Sequence, residues 1–567
     1  VKPRKNARVL KFVAEPTLNI FTLDRPPPIL VQPQPSIELA GGEKDRMYFD
    51  DWLRLARVSA SGSNASAKLW QASLPQLSSQ VRSLRHAAMS IGAMNRAIAT
   101  APWILTSKGR RRRDPLQVEA YHDAVGHYCR ALRMLGGADA AKVSMQETLL
   151  LSLLFLLFEV MRGNLKIALD HLGHGFAIFR QLKDRKNRAG LLGDLAPDPP
   201  QLLAEVIDMY VPLGVQAQGL LNGRVGGDND ANKPGGGGGG GSSTLYIRGH
   251  AMETLTTEFG SGMASVIPLG PMPLVFGSVS EAAEHWKAIQ KSVSEQGPKL
   301  MAAIKESKFT ELVESGDARL IMEQLEQNPE LQMFAQQTAV KLRAWNGAFH
   351  PLYHRLTRDR SVDREVYLRA VHLRVDYLGQ RIFSCFPQHG QQAVMASLTP
   401  FCREINKLCE IILRERRNEG GGGLGAAGAS RFIVHMGIAW NLGFVAVNCR
   451  DLAVRADALR ILQTYPFHDG LWDSNVFAAI ALRNRRLERD NAVEGTPDEQ
   501  WARLNRRLLI FEASGTRIVI QSLKKEGAEW VLIEETADID TTDPAWAYNV
   551  EWKPRPVSDN SIYTKWM

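Results

Sequence analysis

From Leu149 to Phe158 every residue is large and apolar except Ser152. A helix that is apolar on every side offers no face to water, so this stretch has to be enclosed by other helices. Burying its nine apolar side chains is worth roughly 15 to 25 kcal/mol gross, before the entropy of ordering the chain is set against it. Arg162-Gly163-Asn164 then reads as a turn with Asn164 as N-cap. Leu165, Ala168, Leu169, Leu172, Phe176, Phe179 and Leu182 follow at spacings of three and four, so the segment folds back as an αα-hairpin.

The rest of the chain surrounds this post with more helix. Helical periodicity begins near Glu43 and returns at Val81 to Ala99, Val118 to Leu135, 281 to 416, Leu398 to Leu413, and from Asp473 to about Arg489. Leu508 to Phe511, Arg517 to Gln521 and Trp530 to Ile533 are short β-prone runs. The expected fold is mostly α: a multi-helix array with a small C-terminal β-hairpin or three-stranded flap. Residues 1–40, with RPPPILVQPQP from Arg25 to Pro35, read as a basic, Pro-rich extended linker. Residues 41–490 form the helical domain, with disordered Gly-rich insertions at 223–244 and 419–429. Residues 491–567 carry the flap and an acidic-aromatic tail containing Glu534, Glu535, Asp538, Asp540 and Asp543 beside Trp530, Trp546 and Trp552.

Few of the familiar chemical signatures fit. The five cysteines, Cys129, Cys385, Cys402, Cys409 and Cys449, are odd in number and contain no Cys-x-x-Cys, which argues for reduced intracellular thiols. Gly423, Gly425 and Gly428 spell G-x-G-x-x-G, but the preceding residues are charged and helical where a dinucleotide fold needs a strand. Gly235 to Gly241 lack the Lys-Ser/Thr ending of a phosphate loop. His122, His127, His171 and His174 have no partner at ligand spacing, so they read as satisfied or surface histidines. No nucleophile elbow is present, and no catalytic, cofactor or metal site is expected. The longest apolar runs fall below the length of a membrane span, and no secretory signal is visible. Arg110 to Arg113 read as a solvated loop or an import signal. Trp345, Phe349 and Trp440 are candidates to line a ligand cavity. A formal net charge of +9 allows an anionic partner.

Two segments carry a resemblance. Phe158-Glu159, Arg162-Gly163-Asn164, Ala168, His171 and Gly175 resemble the helical hairpin in the regulatory region of fungal Zn2Cys6 (C6 zinc cluster) transcription factors. Val445 to Ser474 is similar to a second pattern of that family: Cys449-Arg450-Asp451, Arg455, Ala458-Leu459, Ile461-Leu462, Pro466 and Gly470-Leu471-Trp472-Asp473. Family members usually have a basic pair and Glu before that Gly, where this chain has Phe467-His468-Asp469. Pro271 to Trp286 and Leu342 to Tyr353 also look familial, and the resemblance covers about residues 40 to 555.

The resemblance implies a nuclear regulator of RNA polymerase II transcription, able to dimerise, that reads DNA through an N-terminal six-cysteine zinc cluster. With Val1 first, Met47 the first methionine and no cysteine ahead of Cys129, that cluster and its zinc are expected upstream of this chain. Lys2, Arg4, Lys5, Arg8 and Lys11 would then be its basic flank, contacting nucleic acid or acting in nuclear import. Co-regulators and a small-molecule effector are the other implied partners, with no membrane. The motif residues read as structural: Cys449 as a small buried residue, Arg450 and Asp451 as pairing groups at helix ends, Trp472 as the anchor of the following turn. A reactive-thiol reading of Cys449 beside Arg450 is opposed by Asp451. The alternative is a helical scaffold or small-molecule-binding protein with no role at DNA.

Overall fold

The computed structural model describes residues 42–60, 68–101, 103–105, 111–113, 115–136, 143–184, 199–221, 270–294, 327–359, 361–385, 389, 391–419, 432–433, 437–490, 508–512, 515–526, 529–540 and 546–556. Contacts divide the chain into Val1–Gly41 and a second unit, Gly42–Met567, to which all the described residues belong. Fifteen α-helices are present among the described residues, with a small four-stranded antiparallel sheet at the C-terminal end.

The first group of helices builds the post and its enclosure. Helices α1 (Glu43–Ala60), α2 (Leu74–Gln80), α3 (Arg82–Thr100) and α4 (Glu119–Gly136) precede α5 (Met145–Met161), α6 (Leu165–Asp184) and α7 (Pro199–Leu221). Helix α3 packs on α1, α4 and α5, and α5 packs in turn on α6 and α7. Every residue of α5 from Leu149 to Val160 is buried, which meets the demand of its uniform hydrophobicity. Its N-terminus lies at Ser144, whose side chain accepts from the Glu147 amide (3.0 Å). Ser152, the one polar residue in the run, is satisfied from across the bundle: its hydroxyl bonds Leu149 O (3.2 Å) and the Tyr210 hydroxyl of α7. Trp52 of α1 and Trp70 pair with 5.8 Å between ring centroids, and the Trp70 indole donates to Met209 Sδ of α7 (3.4 Å).

A second group follows: α8 (Val279–Ser294), α9 (Pro329–Arg358), α10 (Arg364–Phe383), α11 (Gln392–Ser397) and α12 (Thr399–Glu419). Trp286, Trp345, Phe349 and Tyr377 stack at its centre, with the Trp345 indole donating to Ala282 O (3.0 Å). The third group, α13 (Ile438–Asn448), α14 (Leu452–Thr464) and α15 (Ser474–Asp490), packs on α12 through α13 and α14.

Three sheets complete the description. Trp103–Leu105 (β1) pairs antiparallel with Arg111–Arg113 (β2), so three of the four arginines read as a loop form one strand of a two-stranded sheet, and Arg110 lies outside the described residues. Three paired residues satisfy backbone groups that a bare connector leaves to water, and the β-prone Trp-Ile-Leu strand supplies the partner. Phe432–Ile433 (β3), His468–Asp469 (β4) and Trp472–Asp473 (β5) make a miniature three-stranded sheet. Leu508–Glu512 (β6), Arg517–Glu526 (β7), Glu529–Asp538 (β8) and Lys553–Arg555 (β9) are consecutive antiparallel neighbours. The three β-prone runs are its first three strands. The fourth comes from the residues read as a tail, held by Arg555 to Glu512 (2.6 Å) and to the buried Glu534. Residues 1–40, 223–244, 420–429 and 491–507 lie outside the described residues, as do Lys2, Arg4, Lys5, Arg8, Lys11 and the three glycines at 423, 425 and 428.

Candidate functional site

The hairpin between α5 and α6 is closed by backbone geometry that its sequence dictates. Gly163 stands at φ +76°, and its amide bonds Val160 O (3.0 Å) while the Asn164 amide bonds Glu159 O (2.8 Å). That pair of bonds satisfies the last carbonyls of α5 and needs a residue tolerant of positive φ at 163. Asn164 also starts α6, its carbonyl accepting from the Ala168 amide (3.1 Å). Glu159 is buried, and Arg162 reaches both its oxygens (3.1 and 3.2 Å). Burial pushes the Glu159 carboxyl up, and the guanidinium opposes it. Phe158 stacks on Tyr128 of α4 (4.5 Å), whose hydroxyl meets His171 Nε2 of α6 (2.9 Å). The motif thus ties three helices at one corner.

The second motif builds two joints. At the first, α13 ends on buried Cys449, and Asp451 caps α14 by accepting from the Ala453 and Val454 amides (2.9 and 3.1 Å). Those amide bonds and Arg403 hold the Asp451 carboxyl below the usual range. Arg455, nearly buried, donates to Ala446 O (3.3 Å) and pairs with Glu488 of α15. Burial lowers the neighbouring Arg450 guanidinium, against the attraction of Glu488. At the second joint, Gly470 turns the chain at φ +62° between β4 and β5. Buried Gln216 of α7 clamps this turn from both sides, its amide donating to Asp469 O (2.8 Å) and its carbonyl accepting from the Leu471 amide (2.7 Å). A Cβ on Gly470 would stand 2.4 Å from Gln216 Oε1, so any larger residue displaces the clamp. The Asp469 carboxylate, wholly buried, accepts from the Gly437 and Ala439 amides (2.9 and 2.8 Å) and so caps α13. Asp473 accepts from the Asn475 amide (2.8 Å) at the start of α15.

Trp472 packs against Phe477 and Phe511 (both 5.4 Å) and Trp440 (6.2 Å). Beside it lies a cavity of about 40 Å³ lined from three directions. Val160, Gly163 and Leu165 come from the hairpin, Leu471, Trp472 and Asp473 from the second motif, and Phe511 and Ile539 from the C-terminal sheet. Residues of the two segments that lie more than three hundred positions apart in sequence therefore line one cavity. No family model, curated protein or solved structure matches the chain. The motifs stand on their own geometry.

That geometry is a lock between helices. The cavity holds about one or two water molecules, well below the roughly 300 Å³ from which small-molecule pockets begin. Trp345 and Phe349 are fully buried in the second group's aromatic cluster, while Trp440 lies half exposed in the third. His127 is buried beside His86, their Nδ1 atoms 3.1 Å apart, and faces Asp45 (3.4 Å). Among the described residues no three His, Cys, Asp or Glu side chains are placed to hold a metal, and no helix is long and apolar enough to cross a membrane. Sequence reasoning missed Gln216, Glu488 and the capping role of Asp469. A glutamine inside a helix carries no local signal, and each of these residues matters only through a partner distant in the chain.

Proposed function

We propose that this chain is the regulatory region of a fungal Zn2Cys6 transcription regulator, with DNA read by a zinc cluster outside it. The observation that carries the reading is the convergence of the two family-like motifs on the junction of α5–α6, the Gly470 turn and the sheet. Motif residues build this junction and the separate α13–α14–α15 joint: Gly163 and Asn164 close the hairpin, Glu159 and Arg162 pair inside it, and Gly470 and Trp472 seat the turn, while at the other joint Asp451 caps α14 and Arg455 joins α14 to α15. A region of this kind acts by transmitting contacts between helical groups, so we place it in the nucleus, as part of a homodimer meeting co-regulators or a small-molecule effector. It has no catalytic role. Sequencing the transcript upstream of the Val1 codon tests the proposal. Six cysteines at zinc-cluster spacing are expected, and an in-frame start without them overturns it in favour of a helical scaffold.

A further inference from the structure

Helix α9 carries two histidines four residues apart, His350 and His354, and both are exposed. At that spacing side chains stand one above the other on a single helix face. The imidazole centroids lie 5.5 Å apart, with their planes inclined at 67°. Two imidazoles bound to one ion through nitrogen, at about 2.0 Å and a tetrahedral angle, place their centroids about 5 Å apart. The pair therefore stands close to chelating distance. Among the described residues each ring touches the other and no hydrogen-bonding partner. By contrast, His127 is bonded to His86 and faces Asp45, and His171 meets the Tyr128 hydroxyl.

We infer that His350 and His354 together hold one divalent transition-metal ion, with water in the remaining positions. Imidazole nitrogen suits zinc, nickel and copper, and the affinity order among them favours copper. Calcium and magnesium ask for oxygen ligands and are not expected here. The spacing is that of the two helical histidines in zinc hydrolases, but Pro351 follows the first histidine where those enzymes place a glutamate base. The site therefore binds an ion and does no hydrolysis. Its two protein ligands are fewer than the four that close a structural zinc site, so the ion exchanges with solution. Pro351 also gives the site a mechanical role. Proline has no amide to offer the Gly347 carbonyl, which leaves that turn of α9 one hydrogen bond short. The Ala348 carbonyl of the same turn anchors the lead into α8 by accepting from the Phe276 amide (3.1 Å). An ion bridging residues 350 and 354 braces the turn and with it that anchor. This inference is independent of any role at DNA.

The experiment is zinc chloride titration of the full chain, read by diethyl pyrocarbonate labelling of histidines and fragment mapping by mass spectrometry. His350 and His354 are expected to lose their labelling in parallel at one zinc concentration. His122, exposed and with no second histidine one turn away, should keep its labelling there, and calcium chloride should protect neither member of the pair. His350→Ala should raise the zinc concentration that protects His354 by about tenfold or more, and His354→Ala should do the same for His350, because the second ligand of a chelate binds intramolecularly. Both positions are exposed and alanine is the best helix former, so circular dichroism should show the fold kept. Should either variant fold poorly, parallel protection in the unaltered chain decides. Protection of the two histidines at different zinc concentrations, equal protection by calcium, or an unchanged midpoint for one after loss of the other overturns the inference.

Discussion

Gln216 holds two buried backbone groups on opposite sides of the Gly470 turn, so its loss strands both at once. Gln216→Ala should cost about 2 to 4 kcal/mol, since each buried group left without a partner costs roughly 1 to 3 kcal/mol. Urea unfolding checks this as a lower midpoint at unchanged slope, and a shift below about 0.5 kcal/mol would mean that water replaces the clamp. Gly470→Ala should destabilise by a similar route, because its Cβ meets the same Oε1 and its φ is positive. Double substitution should then cost less than the sum of the two, since both act on one contact. The turn itself was legible in the sequence, because Gly-Leu-Trp-Asp after a proline announces a break and an anchor. Its clamp was not, because residue 216 reaches the turn across more than two hundred and fifty positions and only the folded chain brings them together.

At the scale of elements, uniform hydrophobicity proved the most readable signal. A helix that cannot face water must be central, and α5 is buried along its whole length. Leu154 sits in the middle of it at 0% exposure. Leu154→Ala should cost about 2 to 5 kcal/mol through the cavity it leaves. Leu154→Asp should abolish soluble expression, because a lone buried charge finds no partner there. Soluble Leu154→Asp protein with an unchanged circular dichroism spectrum would refute the central role of α5. The same packing sets a pH dependence. Burial holds His171 down to about 4 from 6.5, helped by the charge of His174, and burial likewise holds His86 and His389 at about 4. Between pH 6.5 and 4 the unfolded chain therefore binds protons that the folded chain refuses, so stability is full above 6.5 and falls with the pH. For His171 the loss is on the order of 3 kcal/mol by pH 4. His171→Gln should flatten that limb of a stability-against-pH curve, and an unaltered slope would show that His171 already titrates normally. The β1–β2 sheet escaped notice because an arginine run has no alternation to reveal a strand, and its pairing is set by Trp103 to Leu105.

For the whole molecule, the question is whether the C-terminal sheet is an appendage or a wall of the helical body. A flap was readable from three β-prone runs, but its attachment depends on partners that periodicity cannot indicate. Arg483 of α15 grips both oxygens of Glu535, fifty-two residues away, with a 2.9 Å bond from its Nε. Phe511 closes over Trp472, and Trp546 is buried with its indole donating to Asp538 O (3.0 Å). Removing the sheet would uncover Trp472, Leu471 and Val476 on one face and leave Arg483 without its carboxylate. A chain ending at Asp490 should therefore unfold several degrees lower than the full chain and bind a hydrophobic dye that the full chain excludes, as follows from exposing a contiguous apolar face. Arg483→Ala in the full chain should show a smaller drop in the same direction, because the aromatic contacts remain. Equal melting of truncated and full chains would make the sheet a separate appendage, and the cavity beside Trp472 would then be a surface cleft of the helices alone.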